Sequence, residues 1–413
     1  MPTTEGTRKS VRFTMILVMS LCFCQSLFAQ MPLSLRLESS EENREPISFM
    51  RPHYVIHATP ESGISGPPSS AYNPSQMRHA YGFDQVANEG SGQVIGIVDA
   101  YDDPNIEADL SVFDREFGLP ACSSSNGCFR KVYGNGRKPA TNANWGIEIA
   151  LDVEWAHAIA PQAKIVLVES ATNSLADLFT AVDVAVRNGA SVVSMSWTAG
   201  EFSSEVRLDN HFVTTGVTFL AASGDTGTGV AYPAASPYVV GVGGTSLQLD
   251  ANAGYQSETA WSGSGGGLSK FEHQPLYQAL FGIGADPRGM RGAPDVSYNA
   301  NPGTGYAVYD SFGFGGGSGW FQVGGTSAGT PQWAALLAIA NSMRVAARKS
   351  HLSSTNNSLY VLGKKSLVTE FNSVTQGTNG SCGVWCTAAP GYDYVTGLGS
   401  PKASTLISAL VAQ

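Results

Sequence analysis

Charged side chains are scarce in this chain. Asp, Glu, Lys and Arg together make up 14% of its 413 residues, while glycine alone occurs 47 times. Low charge density with abundant Gly, Ser, Thr and Asn points to a compact secreted protein. An excess of basic residues is also lacking: 24 Lys and Arg face 33 Asp and Glu, a net charge of −9. That balance argues against nucleic acid and anionic membranes as partners. No internal repeat is present, which excludes solenoids and propellers. No C-x-x-C pair occurs among the six cysteines. Of the seven histidines, none is followed by glycine, so the usual upstream His-Gly base of a subtilisin-type site is missing.

The long apolar run that does occur is at the start. Arg8, Lys9 and Arg12 precede the uncharged stretch Phe13–Phe28, and Ala29 offers a small residue for cleavage. Residues 1–29 therefore read as a secretory signal, too short to span a membrane, and the expected location is secreted or periplasmic. Cys22 and Cys24 would leave with it. The remaining cysteines form two close pairs, Cys122–Cys128 and Cys382–Cys386, read as local disulfides with zinc binding as the alternative. Residues 30–70, rich in Pro, Ser and Glu, read as a short extended or disordered segment. Residues 71–413 have globular composition throughout. Apolar runs such as Val94–Val98, Lys164–Val168, Val192–Ser196, Val217–Ala222 and Val239–Val242 alternate with helical patterns. The expected fold class is α/β, a mostly parallel sheet with helices on both faces.

The stretch Gly324-Gly325-Thr326-Ser327-Ala328-Gly329-Thr330-Pro331 has the form of a nucleophile turn. A strand end leads into it and an apolar helix, expected over Gln332–Arg348 with Pro331 in the first turn, leads out. A serine at a helix N-terminus has free backbone N–H groups and a favourable dipole for developing negative charge. A plain N-cap serine is the bland alternative. The α/β-hydrolase order fails, because no acid lies between Ser327 and His351, the one later histidine. An activator other than histidine is needed.

Trp145–Ala160 supplies one. At helical spacing, Glu148 and Asp152 stand one turn apart on one stripe with Trp155 and Ile159, whereas Glu154 and His157 fall on the opposite side and read as an ordinary polar face. Stacked like charges repel unless one holds a proton, an arrangement found in active sites more than in structural helices. A third carboxylate, Asp225, ends the run Ala222-Ser223-Gly224 at the carboxyl end of an expected parallel strand, where ligand sites collect. Taken alone, Asp225 before Thr-Gly is ordinary turn chemistry.

Together these residues resemble the sedolisin family, the serine-carboxyl peptidases. The landmarks run in order over residues 72–409: Glu148-x-x-x-Asp152-x-Glu154, Ala160-Pro161-x-Ala163, Ser196-Trp197, Ala221-Ala222-Ser223-Gly224-Asp225-x-Gly227, Pro233-Ala234-Ala235-Ser236-Pro237-Tyr238-Val239, Pro294-Asp295-Val296-Ser297, Gly325-Thr326-Ser327-x-x-x-Pro331 and Thr396-Gly397-Leu398-Gly399. The resemblance implies a subtilisin-like fold and an acid endopeptidase or tripeptidyl-peptidase, acting on peptide or protein substrates as a monomer with no organic cofactor. It assigns Ser327 as nucleophile, Glu148 as general base, Asp152 as the group that orients and polarises it, and Asp225, protonated, as oxyanion donor. Asp99 and Trp197 are expected behind these groups, with Ser196, Gly265 and Gly266 bordering the substrate cleft. The competing reading is a catalytically silent relative that binds peptides or proteins.

Three departures stand out. The resemblance implies a large N-terminal prosegment, longer than Gln30 to about Ser70. Thr198 follows Trp197 where the family carries glycine, which reshapes the substrate wall. The family's structural calcium site begins with an Asp in a Phe-x-Asp-Ile-like motif, whereas here the stretch is Phe371-Asn372-Ser373-Val374. Ser373 thus replaces a carboxylate, leaving Asp393 and the carbonyls of Val374 and Gly391 to hold the ion, a weakened set.

Overall fold

Val94–Ala100 lies at the heart of the molecule. Ile95 and Ile97 join one apolar core, while Val98 and Ala100 join a second core across the sheet. Both faces of the strand are therefore covered, which explains its unbroken apolar sequence. The computed structural model describes residues 49–60, 66–283 and 288–413. The chain divides into Met1–Ile47 and Ser48–Gln413, and the sheet and its helices belong to the second unit. The expected signal segment 1–29 lies outside the described residues, as does much of 30–70.

The central sheet runs in the order Tyr255–Ala260, Val239–Leu249, Thr218–Ala222, Val192–Met195, Val94–Ala100, Lys164–Ser170 and Phe129–Tyr133. Neighbours are parallel except at the Tyr255–Ala260 edge, and Val296–Asn299 adds a further parallel pairing to Val239–Leu249. Helices Ala143–Ile159 and Thr326–Ala346 pack into the first core and Leu175–Arg187 into the second. Ser174 caps the last of these, accepting from Asp177 N. This is the expected α/β architecture. Both expected disulfides are present. His157 stands near the Cys122–Cys128 pair, but the sulfurs are bonded to each other and His157 Nε2 lies 2.8 Å from Pro120 O.

Two sequence readings change on folding. The helix carrying Ser327 begins at Thr326, not Gln332, so Pro331 sits inside it. Proline has no N–H to give the carbonyl four residues back, which is that of Ser327. Ser196 Oγ stands 3.5 Å from that carbonyl, with its one proton directed to Asp152 Oδ1 at 2.9 Å. Glu154 and His157 are not a polar face: the whole run Trp145–Ile159 is buried, because Ile106–Phe117 and Tyr306–Asp310 cover the side away from the sheet. Glu154 Oε2 instead accepts from Tyr309 N at 3.1 Å. Residues 49–60, part of the segment read as extended or disordered, include two extended strands. Arg51–Pro52 pairs antiparallel with Trp197–Thr198, and Val55–Ala58 pairs antiparallel with Gln322–Gly324.

Candidate active site

The carboxyl ends of three adjacent strands converge at one place. Asp99 is the penultimate residue of Val94–Ala100, Ser196 directly follows Val192–Met195, and Ser223-Gly224-Asp225 follows Thr218–Ala222. Over this edge lie the Glu148 helix and the start of the Ser327 helix. Asp99, Glu148, Asp152, Ser196 and Ser327 are all fully buried.

The sequence spacing places Glu148 and Asp152 as expected, and Asp99 interacts electrostatically with both. Asp152 Oδ1 accepts from Ser196 Oγ at 2.9 Å. Neither oxygen of Glu148 or of Asp99 has a hydrogen-bond partner among the described residues. Burial, then repulsion from Asp152 and Asp99, pushes the Glu148 pKa well above the ordinary carboxyl range, with the Ser327 hydroxyl opposing the shift. In this structure that hydroxyl donates to Ser196 O at 3.3 Å. Burial and then Asp99 raise Asp152, opposed by Ser196, and burial raises Asp99 to about 8. Three carboxyls buried together, with no cation paired to them among the described residues, hold their protons as a group, so the first proton released leaves a charge shared among them.

Gly325, with φ of 107°, caps the Ser327 helix. Side chains rarely adopt that backbone, and a Cβ there would also collide with the His53 carbonyl oxygen, Asp225 Oδ2 and Tyr54 Cα. Glycine thus lets three groups meet beside Ser327. Asp225 Oδ1 accepts from both Thr326 N and Thr326 Oγ1 at 2.8 Å. Its Oδ2 is buried and unpartnered among the described residues. Burial raises its pKa against the opposing effects of His53 and the Thr326 bonds.

The cleft contains part of the chain itself, which sequence reasoning missed. Ser327 N donates to His53 O at 3.1 Å. On one side of this contact Met50 N donates to Asn173 O and Asn173 Nδ2 to Met50 O, both at 2.8 Å. On the other, Tyr54 meets Phe314 edge to face at 5.7 Å. The His53 ring bonds to Thr198 Oγ1 and is the occupant's side chain rather than a base on Ser327. Gly265 lines the cleft with Phe49, Arg51 and His53, whereas Gly266 bonds to Gly229 and packs against Tyr394 O. Trp197 Nε1 donates to Val98 O at 2.7 Å, bracing the strand that carries Asp99.

Comparison with known proteins gives the family. The subtilase family model matches residues 140–401. Kumamolisin of Bacillus sp. (strain MN-32) is 33% identical over 403 residues, covering 87% of this chain and 68% of kumamolisin. The chain belongs to the sedolisin-type serine-carboxyl peptidases of the subtilase family. Sedolisin of Pseudomonas sp. (strain 101) is 32% identical over 50% of this chain and 38% of its own, and tripeptidyl-peptidase 1 of Canis lupus familiaris is 33% identical over 48% and 38%. The match therefore spans well under half of these two relatives. The structure of Pseudomonas sedolisin complexed with two molecules of pseudo-iodotyrostatin superposes with a TM-score of 0.72 over 85% of this chain and all of that one, at 24% identity. That likeness shows the shared subtilisin-like fold.

The calcium set expected from sedolisins does not fit the residues present. Asp393 Oδ1 accepts from Val395 N and Thr396 N at 2.8 Å, and Oδ2 from Thr396 Oγ1 at 2.7 Å and Ala389 N at 3.4 Å. Both oxygens are consumed by the turn that closes between Asp393 and Gly397. With Ser373 in place of the other carboxylate, Val374 and Gly391 can offer carbonyl oxygens alone. A hard divalent cation needs more anionic oxygen than that.

Proposed function

We propose that this sedolisin-type chain is an acid endopeptidase acting outside the cytoplasm, with Ser327, Glu148, Asp152 and Asp225 as its working groups. One observation carries the reading: an extended peptide backbone lies gripped between two strands, with the His53 carbonyl oxygen on the N–H of Ser327. This is strand addition, the usual way a peptidase aligns its substrate.

In the proposed reaction Ser327 Oγ attacks the carbonyl carbon while its proton passes to Glu148, which the Asp152 carboxyl orients. Negative charge moves onto the carbonyl oxygen, where Ser327 N–H and a protonated Asp225 Oδ2 donate. Glu148 then gives its proton to the departing amine, leaving an acyl group on Ser327. Water, deprotonated by Glu148 in turn, releases the acid. Asp225 must keep a proton while the Asp99–Glu148–Asp152 group carries a charge. Rising pH removes the donor and falling pH the base, so a bell-shaped acid profile follows.

Two residues favour internal cleavage over removal of tripeptides. Met50 and Phe49 continue along Asn173 and Ser174, so the cleft accepts chain beyond three residues before the contacted carbonyl. An acetylated fluorogenic octapeptide offered at pH ~3–7 tests both points. Hydrolysis with an acid optimum, lost by several orders of magnitude in Ser327→Ala, is expected. Failure to cleave blocked peptides while releasing tripeptides from free N-termini would reverse the mode, and an optimum at or above neutrality would remove the carboxyl mechanism. The two disulfides fit an extracytoplasmic site, and among the described residues no helix is long and apolar enough to cross a membrane.

A further inference from the structure

Thr198 stands where sedolisins usually carry glycine, and the structure gives that side chain a task. Its hydroxyl is buried, with the residue 3% exposed, and it bonds to Nε2 of His53. His53 is the residue whose carbonyl accepts from Ser327 N, so its ring fills the subsite on the amino side of the bond presented to the nucleophile. The backbone register agrees, with Arg51 opposite Thr198 and Pro52 opposite Trp197. Asp225 acts on the ring electrostatically, and the rest of the pocket wall is small. That wall includes Ser223, Gly224, Gly229 and Gly265; Ser223 Oγ is committed to Gly265 O at 2.9 Å, and a Cβ at Gly224 would lie 3.8 Å from His53 Cε1.

We infer that Thr198 is a specificity-determining residue that selects histidine at the amino side of the cleaved bond. The inference rests on the proposed peptidase activity. Its physical basis is polar satisfaction. A hydroxyl both donates and accepts, so it matches either tautomer of a neutral imidazole. With an aliphatic side chain in the pocket, the buried Thr198 hydroxyl loses its partner, and an unpaired buried group is costly. A site built around a hydrogen bond discriminates more sharply than one built on apolar fit. Burial lowers the pKa of the His53 ring, against the pull of Asp225. The enzyme's own residues 49–56 thereby display the preferred substrate: peptide chain with histidine before an aromatic residue.

The test is a double-mutant cycle on the full chain. Purified protein is held at acid pH, and mass spectrometry follows the new N-terminus at Tyr54. His53→Leu and Thr198→Val are each expected to slow its appearance about tenfold, with the double variant no slower than either single one. Thr198→Ser, which keeps the hydroxyl, restores the wild-type rate. In a second arm, a blocked octapeptide copying Phe49–Ile56 is compared with its analogue bearing leucine in place of His53. Wild type favours the histidine peptide about tenfold in kcat/KM, and Thr198→Val brings the ratio close to one. Independent, multiplying effects in the cycle, or an unchanged peptide ratio in Thr198→Val, would overturn the inference while leaving the peptidase reading intact. Wild type that cleaves neither itself nor either peptide, and matches Ser327→Ala, would overturn both.

Discussion

Glu148 and Asp295 are both fully buried carboxylates, yet their surroundings are opposites. Asp295 Oδ2 accepts from Arg291 Nη2 at 2.7 Å and Gly241 N at 2.8 Å, and its Oδ1 from Tyr360 OH at 2.9 Å. Arg291 is itself buried and further tied to the carbonyls of Val239 and Gly292. Around Glu148 there are instead two more acids, no cation within the group, and unpartnered oxygens. A buried charge that serves the fold is neutralised and saturated with donors; one kept for chemistry is left needing a proton. On the proposed mechanism, the pair of sites separates stability from activity within one molecule.

The comparison breaks most visibly under substitution. Glu148→Gln should lower kcat/KM about a thousandfold or more with the chain still folded, since the base is lost but no buried cation is orphaned. Its thermal midpoint should equal or exceed that of the parent. Asp295→Ala should do the reverse. Leaving Arg291 buried without its partner costs ~3–5 kcal/mol, read by denaturant unfolding in a Ser327→Ala background that prevents self-digestion. If Glu148→Gln unfolds the protein as readily as Asp295→Ala, the distinction between the two sites fails.

A smaller effect sharpens it through pH. Burial holds Asp99 at about 8, against ~3.9 for an unfolded aspartate. Between those values the folded chain keeps a proton that the unfolded chain has released. Stability therefore falls as pH rises from about 4 to about 8, and levels off above. Glu148 and Asp152, also raised, act in the same direction. Asp99→Asn should leave the midpoint nearly unchanged at about pH 4 and raise it by ~2 °C or more at about pH 8, measured by calorimetry. A larger gain at the acid end than at the alkaline end would contradict the raised titration. The smallest effect expected is that of a chelator. Because Asp393 serves its own turn, EDTA should shift the midpoint by less than ~2 °C. A larger fall, reversed by calcium, would mean the loop rearranges to take the ion.

How much of this could be read before folding varied with the reach of the interaction. The Glu148–Asp152 stripe was legible because helical periodicity is local, and the Ser327 turn because Gly325 and a following apolar run mark a strand-to-helix turn within a few residues. Asp225 was legible only in company: alone it is indistinguishable from a turn aspartate. Pro331 misled, since the helix runs through it here, and the Ser327 carbonyl it leaves without a helical donor lies beside Ser196, far away in the chain. Asp393 was open between metal ligand and turn residue, and only the fold shows the loop from Ala389 to Thr396 turning back onto its carboxylate.

The sequence by itself therefore singled out the candidate groups, their order, and the alternation of strands and helices that brings them to one sheet edge. Its information lay in short-range spacing and residue chemistry, which survive without knowledge of neighbours. Only the tertiary structure decided that Glu154 and His157 are interior, because other elements cover that side of their helix. It alone placed His53 and Tyr54 in the cleft. Arg51 pairs with Thr198 and Val55 with Gly324 through backbone hydrogen bonds, which any residue but proline can make and which leave no mark in the side chains.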